Sequence, residues 1–291
     1  MKRYLTLFYV LLLVLLSACN GKSSQKEENK RLIMVTMEPQ RYFTEAIAGD
    51  KFLVESMVPK GSSPETYDPT PQQLTRLSKS EAYLRIGHIG FEQSWMDRLT
   101  DNAPHMQIFD TSKGVELIHG EGHNHGDHFH AGGVDPHIWN SISNARIIAK
   151  NTFQALITLD KTNENYYLHR YDSLCKVINR TDSVINNIFQ TSKADHAFMI
   201  YHPALSYFAR DYGLHQICIE EEGKEPSPAH LRDLIEICKE EEVRIIFVQP
   251  EFDRRNAEII AKQTNTNIVD VNPLSYNWEK EMIHIANSLC K

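Results

Sequence analysis

Six of the fourteen histidines fall in one window, HGEGHNHGDHFHAGGVDPHIWNS, from His119 to Ser141. Five of them, His119, His123, His125, His128 and His130, lie among glycine, aspartate, glutamate and asparagine. The sixth, His137, lies in the tighter phrase GGVDPHIWNS, two residues after Asp135. A second histidine beside a proline, His202, stands in YHPALSYF, Glu65 stands in GSSPETYDPTP, and Asp270 stands in NIVDVNPL. Imidazole nitrogen and carboxylate oxygen are the donors a first-row divalent cation takes. Asp135 could orient His137 by accepting from its second ring nitrogen. Glu65, His137, His202 and Asp270 are therefore the candidate metal ligands, provided loops distant in sequence converge. The five clustered histidines have another character. Glycines keep residues 119–130 mobile, and free imidazoles there would gather Zn²⁺, Cu²⁺ or Ni²⁺ loosely, with few geometric demands.

Convergence depends on the elements that carry these loops. RLIMVTM, FLVESMVP, AYLRIG and MQIFDTS read as strands, and PQRYFTEAIAG, TPQQLTRLSKSE and FEQSWMDRLTDN between them read as helices. After the histidine-rich segment, NARIIAKNTFQALITLD reads as a helix. A long stripe of apolar residues then runs through Tyr167, Tyr171, Leu174, Ile178, Val184, Ile185 and Ile188. A helix from Asn163 to Gln190 would span about 40 Å at about 1.5 Å per residue. Strand and helix alternate again from HAFMIYH to WEKEMIHIANSLCK, with Ser227 as the expected N-cap of one helix. The fold class expected is α/β: two lobes, each a parallel sheet flanked by helices, joined by one long rigid helix. Glu65, His202 and Asp270 each lie at or just beyond the C-terminal end of an expected strand, and His137 follows the first lobe's last strand, where open α/β sheets bind ligands. The metal is expected in the cleft between the lobes.

The ends and the composition bound the function. Residues 1–18 read as a signal peptide: Lys2 and Arg3, an apolar run from Tyr4 to Leu16, then small residues. Leu16-Ser17-Ala18-Cys19 resembles a lipobox, which makes Cys19 the expected lipidation site. Residues 19–30 hold no large apolar group and form a flexible tether. An N-terminal lobe with the histidine-rich insert 119–130 is expected over 31–142. Helices including the linker follow over 143–192, and a C-terminal lobe over 193–291. The formal charge of −7 argues against a nucleic-acid partner, which demands clustered positive charge. Cys175, Cys218, Cys238 and Cys290 remain for up to two disulfides, and no CxxC pair suggests a cysteine metal site. Trp95, Trp139 and Trp278 read as packing residues, and His88 in GHIG could face the cleft.

The chain resembles the solute-binding lipoproteins of ABC importers for zinc and manganese. The phrases that carry the resemblance are TMEPQRYFTEAIAGD, VPKGSSPETYDPTPQQL, RIGHIGFEQSWMDRL, GGVDPHIWNS, YHPALSYFARDYGL and VQPEFDRRNAEIIAKQTN, which span nearly the whole mature chain. The resemblance implies that His137 and His202 are the second and third ligands. The first is ordinarily histidine in this family, and here that place is Glu65. The fourth ordinarily precedes Pro-Leu, and here that place is Asn272. Asp270, two residues earlier and on the same side of an extended strand, is the expected substitute. Such a shell is harder than three imidazoles, which admits Mn²⁺ or Fe²⁺ beside Zn²⁺. The resemblance also implies a zinc-gathering role for the insert and a disulfide half at Cys290, with Cys238 as its candidate partner.

These readings together describe a receptor rather than an enzyme. It sits outside the cytosol on a membrane lipid anchor, carries Zn²⁺ as transported ligand, and serves an ABC permease as a monomer. A zinc hydrolase is the main rival, because two histidines and a carboxylate with an open position also activate water. No HExxH helix is present to support it. A receptor for a chelated metal or haem, and an adhesin-like lipoprotein with a structural metal, are the others.

Overall fold

After Arg31, every residue of the first strand, β1 (Arg31–Val35), is buried, as a run of large apolar side chains demands. In the computed structural model it is the second strand of a parallel sheet ordered β2-β1-β3-β4, with β2 at Phe52–Ser56, β3 at Ala82–Arg85 and β4 at Gln107–Asp110. The register sets Ile33 opposite Val54 on one side and Ala82 on the other. The structure describes residues 30–120, 133–192, 195–220 and 223–290, with the backbone of His123–His125 and His128–His130. The signal peptide, Cys19 and all but the last residue of the tether lie outside the described residues, as do the side chains of His123, His125, His128 and His130.

Helices α1 (Glu38–Ala48), α2 (Pro71–Leu77) and α3 (Gly90–Asn102) connect these strands. α2 begins in a capping box, Thr70 accepting from the Gln73 N–H while the Gln73 side chain accepts from the Thr70 N–H. A second parallel sheet holds β7 (Ala197–Ile200), β8 (His215–Cys218), β9 (Ile245–Val248) and β10 (Asn267–Asp270), in the order β10-β9-β7-β8. Read in chain order, both sheets run second-first-third-fourth. Each has its switch point between its first and third strands, where a crevice opens at the carboxyl ends. The short strands β5 (His123–His125) and β6 (His128–His130) pair antiparallel, which the glycine-rich composition did not suggest.

Helix α4 (Ile142–Leu159) is capped by Ser141 and packs on α5 (Glu164–Thr191). The 28 residues of α5 span about 42 Å at about 1.5 Å per residue. Tyr167, Leu174, Ile178, Thr181 and Ile185 make its buried stripe. α5 touches α1 of the first lobe and α9 (Trp278–Ser288) of the second, so it joins them as expected. One apolar cluster runs from Ile33 and Phe43 through Trp139, Ile148 and Ile178 to Phe198 and Phe247. The lobes therefore share a core, which restricts how far they can swing. Helices α6 (Ser206–Tyr212), α7 (Pro228–Glu240) and α8 (Arg255–Thr264) complete the second lobe, and Ser227 caps α7 as expected. Among the described residues no helix is long and apolar enough to cross a membrane. Cys175, Cys218, Cys238 and Cys290 are all free, so the pairing of Cys238 with Cys290 is not formed. The Cys238 thiol instead contacts the Thr266 hydroxyl, and Cys290 lies against the Ile188 carbonyl.

The turn from β3 into α3 rests on a buried acid. Glu92 accepts from the backbone N–H of Ile86 at 2.8 Å and of Gly87 at 2.7 Å, and from the Thr36 hydroxyl. Burial raises its pKa above the ordinary carboxylate value, and these hydrogen bonds offset only part of that rise. A group whose pKa rises on folding stabilises most while protonated and loses that contribution as pH climbs through the folded value. Unfolding midpoints of the native chain and Glu92→Gln, followed upward from about pH 4, should diverge, the native protein losing stability relative to the variant. Parallel curves would remove Glu92 from the pH dependence.

Candidate metal centre

His202 follows β7 and His137 precedes α4. Their rings meet where the lobes face each other, Nε2 to Nε2 at 3.0 Å. Each ring is oriented through its other nitrogen. His137 Nδ1–H donates to Asp135 Oδ1 at 2.8 Å, and His202 Nδ1–H donates to Glu220 Oε1 at 2.9 Å. A carboxylate partner fixes the proton on Nδ1 and leaves the Nε2 lone pair free. Two lone pairs thus point at one another across a gap that a cation would fill. Around Zn²⁺, nitrogens at about 2.0–2.1 Å in tetrahedral geometry stand about 3.3 Å apart, so the observed gap is within a few tenths of an ångström of that arrangement.

Burial raises the Asp135 carboxyl, but hydrogen bonding and charge from His137 outweigh it and hold the group below its ordinary value. The backbone N–H of His137 also donates to Asp135, at 2.9 Å. Trp139 packs on the His137 ring at 5.3 Å, and Phe252 stacks on the His202 ring at 5.2 Å. Gln249 grips the His202 backbone, donating to its carbonyl at 2.6 Å and accepting from its N–H at 3.3 Å.

Glu65 completes the group. One donor atom each from Glu65, His137 and His202 lies within 4.8 Å of the others. Glu65 Oε2 accepts from the Gly90 N–H at 3.1 Å, at the positive end of α3. Its other oxygen, Oε1, is buried and has no hydrogen-bond partner. A buried carboxylate oxygen without a donor is unfavourable by itself, and it is the atom free to ligate. A Cβ at Gly90 would stand 2.5 Å from the Glu65 carbonyl oxygen, so only glycine allows the two segments this approach.

The structure does not bring Asp270 to this group. Its side chain is 76% exposed and pairs with Arg254 at 3.2 Å. Asn272 turns its side-chain oxygen onto the Leu274 N–H at 3.1 Å. His88 lies on the rim of an outer cavity, in left-handed backbone at φ 60°. His119 forms an isolated bridge with Val134 at the base of the insert. Three residues escaped the sequence reading: Glu220, Gln249 and Glu251, the last lining the same cavity as Glu65, His137 and His202. Their signal was position alone, just past the ends of β8 and β9. Burial raises the Glu251 carboxyl, offset in part by its own backbone N–H and the charge of His202.

Residues 33–289 match the family described as zinc-uptake complex component A, periplasmic (ZnuA). The chain belongs to the ZnuA family. It is a metal ABC transporter substrate-binding protein and not an enzyme. The metal ABC transporter substrate-binding lipoprotein FimA of Streptococcus parasanguinis is 30% identical over 276 residues, covering 91% of this chain and 86% of its own. The manganese ABC transporter substrate-binding lipoprotein PsaA of Streptococcus pneumoniae is 29% identical over 273 residues, with 91% and 86% covered. A crystal structure of ZnuA superposes with a TM-score of 0.83 at 33% identity, over 90% of this chain and 98% of that one.

Two substitutions test the geometry by calorimetric titration with Zn²⁺. Gly90→Ala, which must displace Glu65, should weaken binding by about tenfold, the scale of a lost supporting contact. Asp270→Asn should leave the affinity within about twofold, because an exposed pair with Arg254 contributes little. The reverse order would return Asp270 to the site.

Proposed function

We propose that this protein is a receptor anchored by lipid on Cys19 outside the cytoplasmic membrane, which binds Zn²⁺ between Glu65, His137 and His202 and delivers it to an ABC permease. The observation that carries the reading is the opposition of two imidazole Nε2 atoms at 3.0 Å, each ring's Nδ1 set by its own carboxylate. The buried, unpartnered Glu65 Oε1 supports it from the third side. The cavity among these groups holds about 30 Å³, room for an ion or a single water. All three donors come from one chain, so a monomer suffices. The lipobox-like Leu16-Ser17-Ala18-Cys19 supports the anchor, as do the relatives named as lipoproteins. The histidines of the insert, at 119, 123, 125, 128 and 130, gather metal loosely near the cleft.

Manganese is the second reading. A carboxylate at Glu65 in place of an imidazole makes the donor set harder, and PsaA, 29% identical, is named for manganese. Metal analysis of protein purified without added metal, followed by competition between Zn²⁺ and Mn²⁺, separates the two. Imidazole ligates only when unprotonated, so affinity for either ion should fall on acidification.

His137→Ala and His202→Ala should each lower cleft affinity by more than about 100-fold, beyond the loss expected for an outer-shell partner. Deletion of residues 120–130 should leave that affinity nearly intact. Titration calorimetry on the three variants reads the difference, and equal losses in all three would move the function to the insert.

A further inference from the structure

Glu65, His137 and His202 supply three donors, one short of the four that Zn²⁺ ordinarily takes. The place where a fourth was expected does not supply it: Asp270 is exposed and paired with Arg254, and the Asn272 side chain is committed to the Leu274 N–H. Among the described residues lining the inner cavity, only one other carries an ionisable donor, and that is Glu251.

The loop after β9 holds Glu251 beside His202 from both flanks. Gln249 is bonded to the His202 backbone in both directions, and the Phe252 ring stacks on the His202 imidazole with an interplanar angle of 18°. β7 and β9 are neighbours, and the switch point of the second sheet lies between them. Glu251 also lines an outer vestibule of about 830 Å³ that contains His88, Gln93 and the base of the insert at Gly120 and Gly133. It lines both this vestibule and the inner cavity, as Glu65, His137 and His202 do. Its carboxylate has no salt-bridge or hydrogen-bond partner among the side chains described around it. Its own backbone N–H and the His202 imidazole offset the burial of this carboxyl only in part, and a divalent cation in the inner cavity would be a further counterpart.

We propose that Glu251 supplies the fourth ligand of the bound metal, swinging from the vestibule onto the ion as it enters. The inference rests on the receptor reading above. The Glu251 carboxylate lies outside the group of donors gathered within 4.8 Å, so ligation takes a rotation of its side chain while Gln249 and Phe252 keep the loop in place. The resulting shell has two imidazoles and two carboxylates, and a carboxylate on each side of the histidine pair balances the charge of a dication. One carboxylate is fixed from the start by Gly90. The other is free to leave, which gives the ion a ligand it can carry inward and lose first on release.

The test uses the purified chain loaded with Zn²⁺ or with Co²⁺, whose visible absorption reports coordination number and ligand type. Glu251→Gln and Glu251→Asp are compared with the native protein and with His202→Ala, and thermal unfolding of the metal-free proteins checks that each variant folds. The expected result for Glu251→Gln is at least tenfold weaker Zn²⁺ binding and a Co²⁺ spectrum changed in band position and intensity, with Glu251→Asp closer to native on both counts. An unchanged Co²⁺ spectrum overturns the proposal whether affinity falls or not, since a charge acting from a distance would weaken binding without altering the ligand field. Should Glu251→Gln not fold, Glu251→Ala takes its place with the same readouts: an unchanged Co²⁺ spectrum overturns the proposal, and a shifted one supports it. If native protein binds neither ion, or His202→Ala binds as well as native, the receptor reading itself fails. If His202→Ala loses the metal and Glu251→Gln keeps the native spectrum, only the role of Glu251 fails.

Discussion

Two imidazole lone pairs facing each other at 3.0 Å are the constraint around which this molecule is arranged. With Nδ1 of each ring donating to Asp135 or Glu220, neither Nε2 has a proton to offer the other. Such an arrangement is repulsive unless a cation, or a borrowed proton, lies between. A folded chain tolerates it because the scaffold holds each ring from several sides at once. Trp139 and Phe252 pack on the rings, Gln249 grips one backbone and Asp135 the other. Their combined stabilisation fixes the two Nε2 atoms at a separation that suits two ligands of one cation.

The two sheets explain how residues so far apart arrive together. Both run second-first-third-fourth, and both place their functional loops past the carboxyl ends of equivalent strands. Glu65 follows the second strand of the first sheet, and Glu220 follows the second strand of the other. One became a candidate ligand and the other orients a candidate ligand. The turn after β3, held by Glu92, supports Glu65 through Gly90, while the loop after β9 supports His202 through Gln249. Each lobe thus uses its third-strand loop as the brace for a donor.

Much of the fold was legible because parallel strands buried on both faces and amphipathic helices leave periodic marks. The convergence of Glu65, His137 and His202 was legible from two signals together: places after strands where α/β sheets bind ligands, and the family phrases GSSPETYDPTP, DPHIW and YHPA. Asp270 was misplaced by the same rule. Its strand, β10, lies at the edge of its sheet, and a residue at a strand's end can face solvent as readily as the cleft. The roles of Glu220 and Glu251 were illegible because their phrases, EEEGKEP and QPEFDRRN, are as polar as any surface loop, although the resemblance sets EEEGKEP near the cleft rim. What makes them part of the site is burial by neighbours distant in sequence, which composition does not record. The β5–β6 pairing was hidden because β5 alternates histidine with asparagine, which is depleted in strands, so Phe129 of β6 is its one residue with a strong β preference.

Affinity must coexist with release, and the pattern of contacts limits how the site can open. The His137 loop is fastened to the second lobe along its length. Trp139 donates to the Pro273 carbonyl, Asn140 donates to the Ala204 carbonyl, and Tyr207 donates to the Asp135 carbonyl, all at 2.8–2.9 Å. His137 and His202 therefore tend to move as one body. Glu65 is held from the other side, by Gly90 and the Pro64 carbonyl that accepts from the Phe91 N–H. A shared core and the 28-residue α5 oppose any wide swing of the lobes. A small displacement of the Glu65 and Gly90 segments together would keep both of these bonds. Following the departure of Glu251, it would draw Glu65 from an ion held there and leave the two imidazoles paired, so that the ion is loosened without unfolding either sheet.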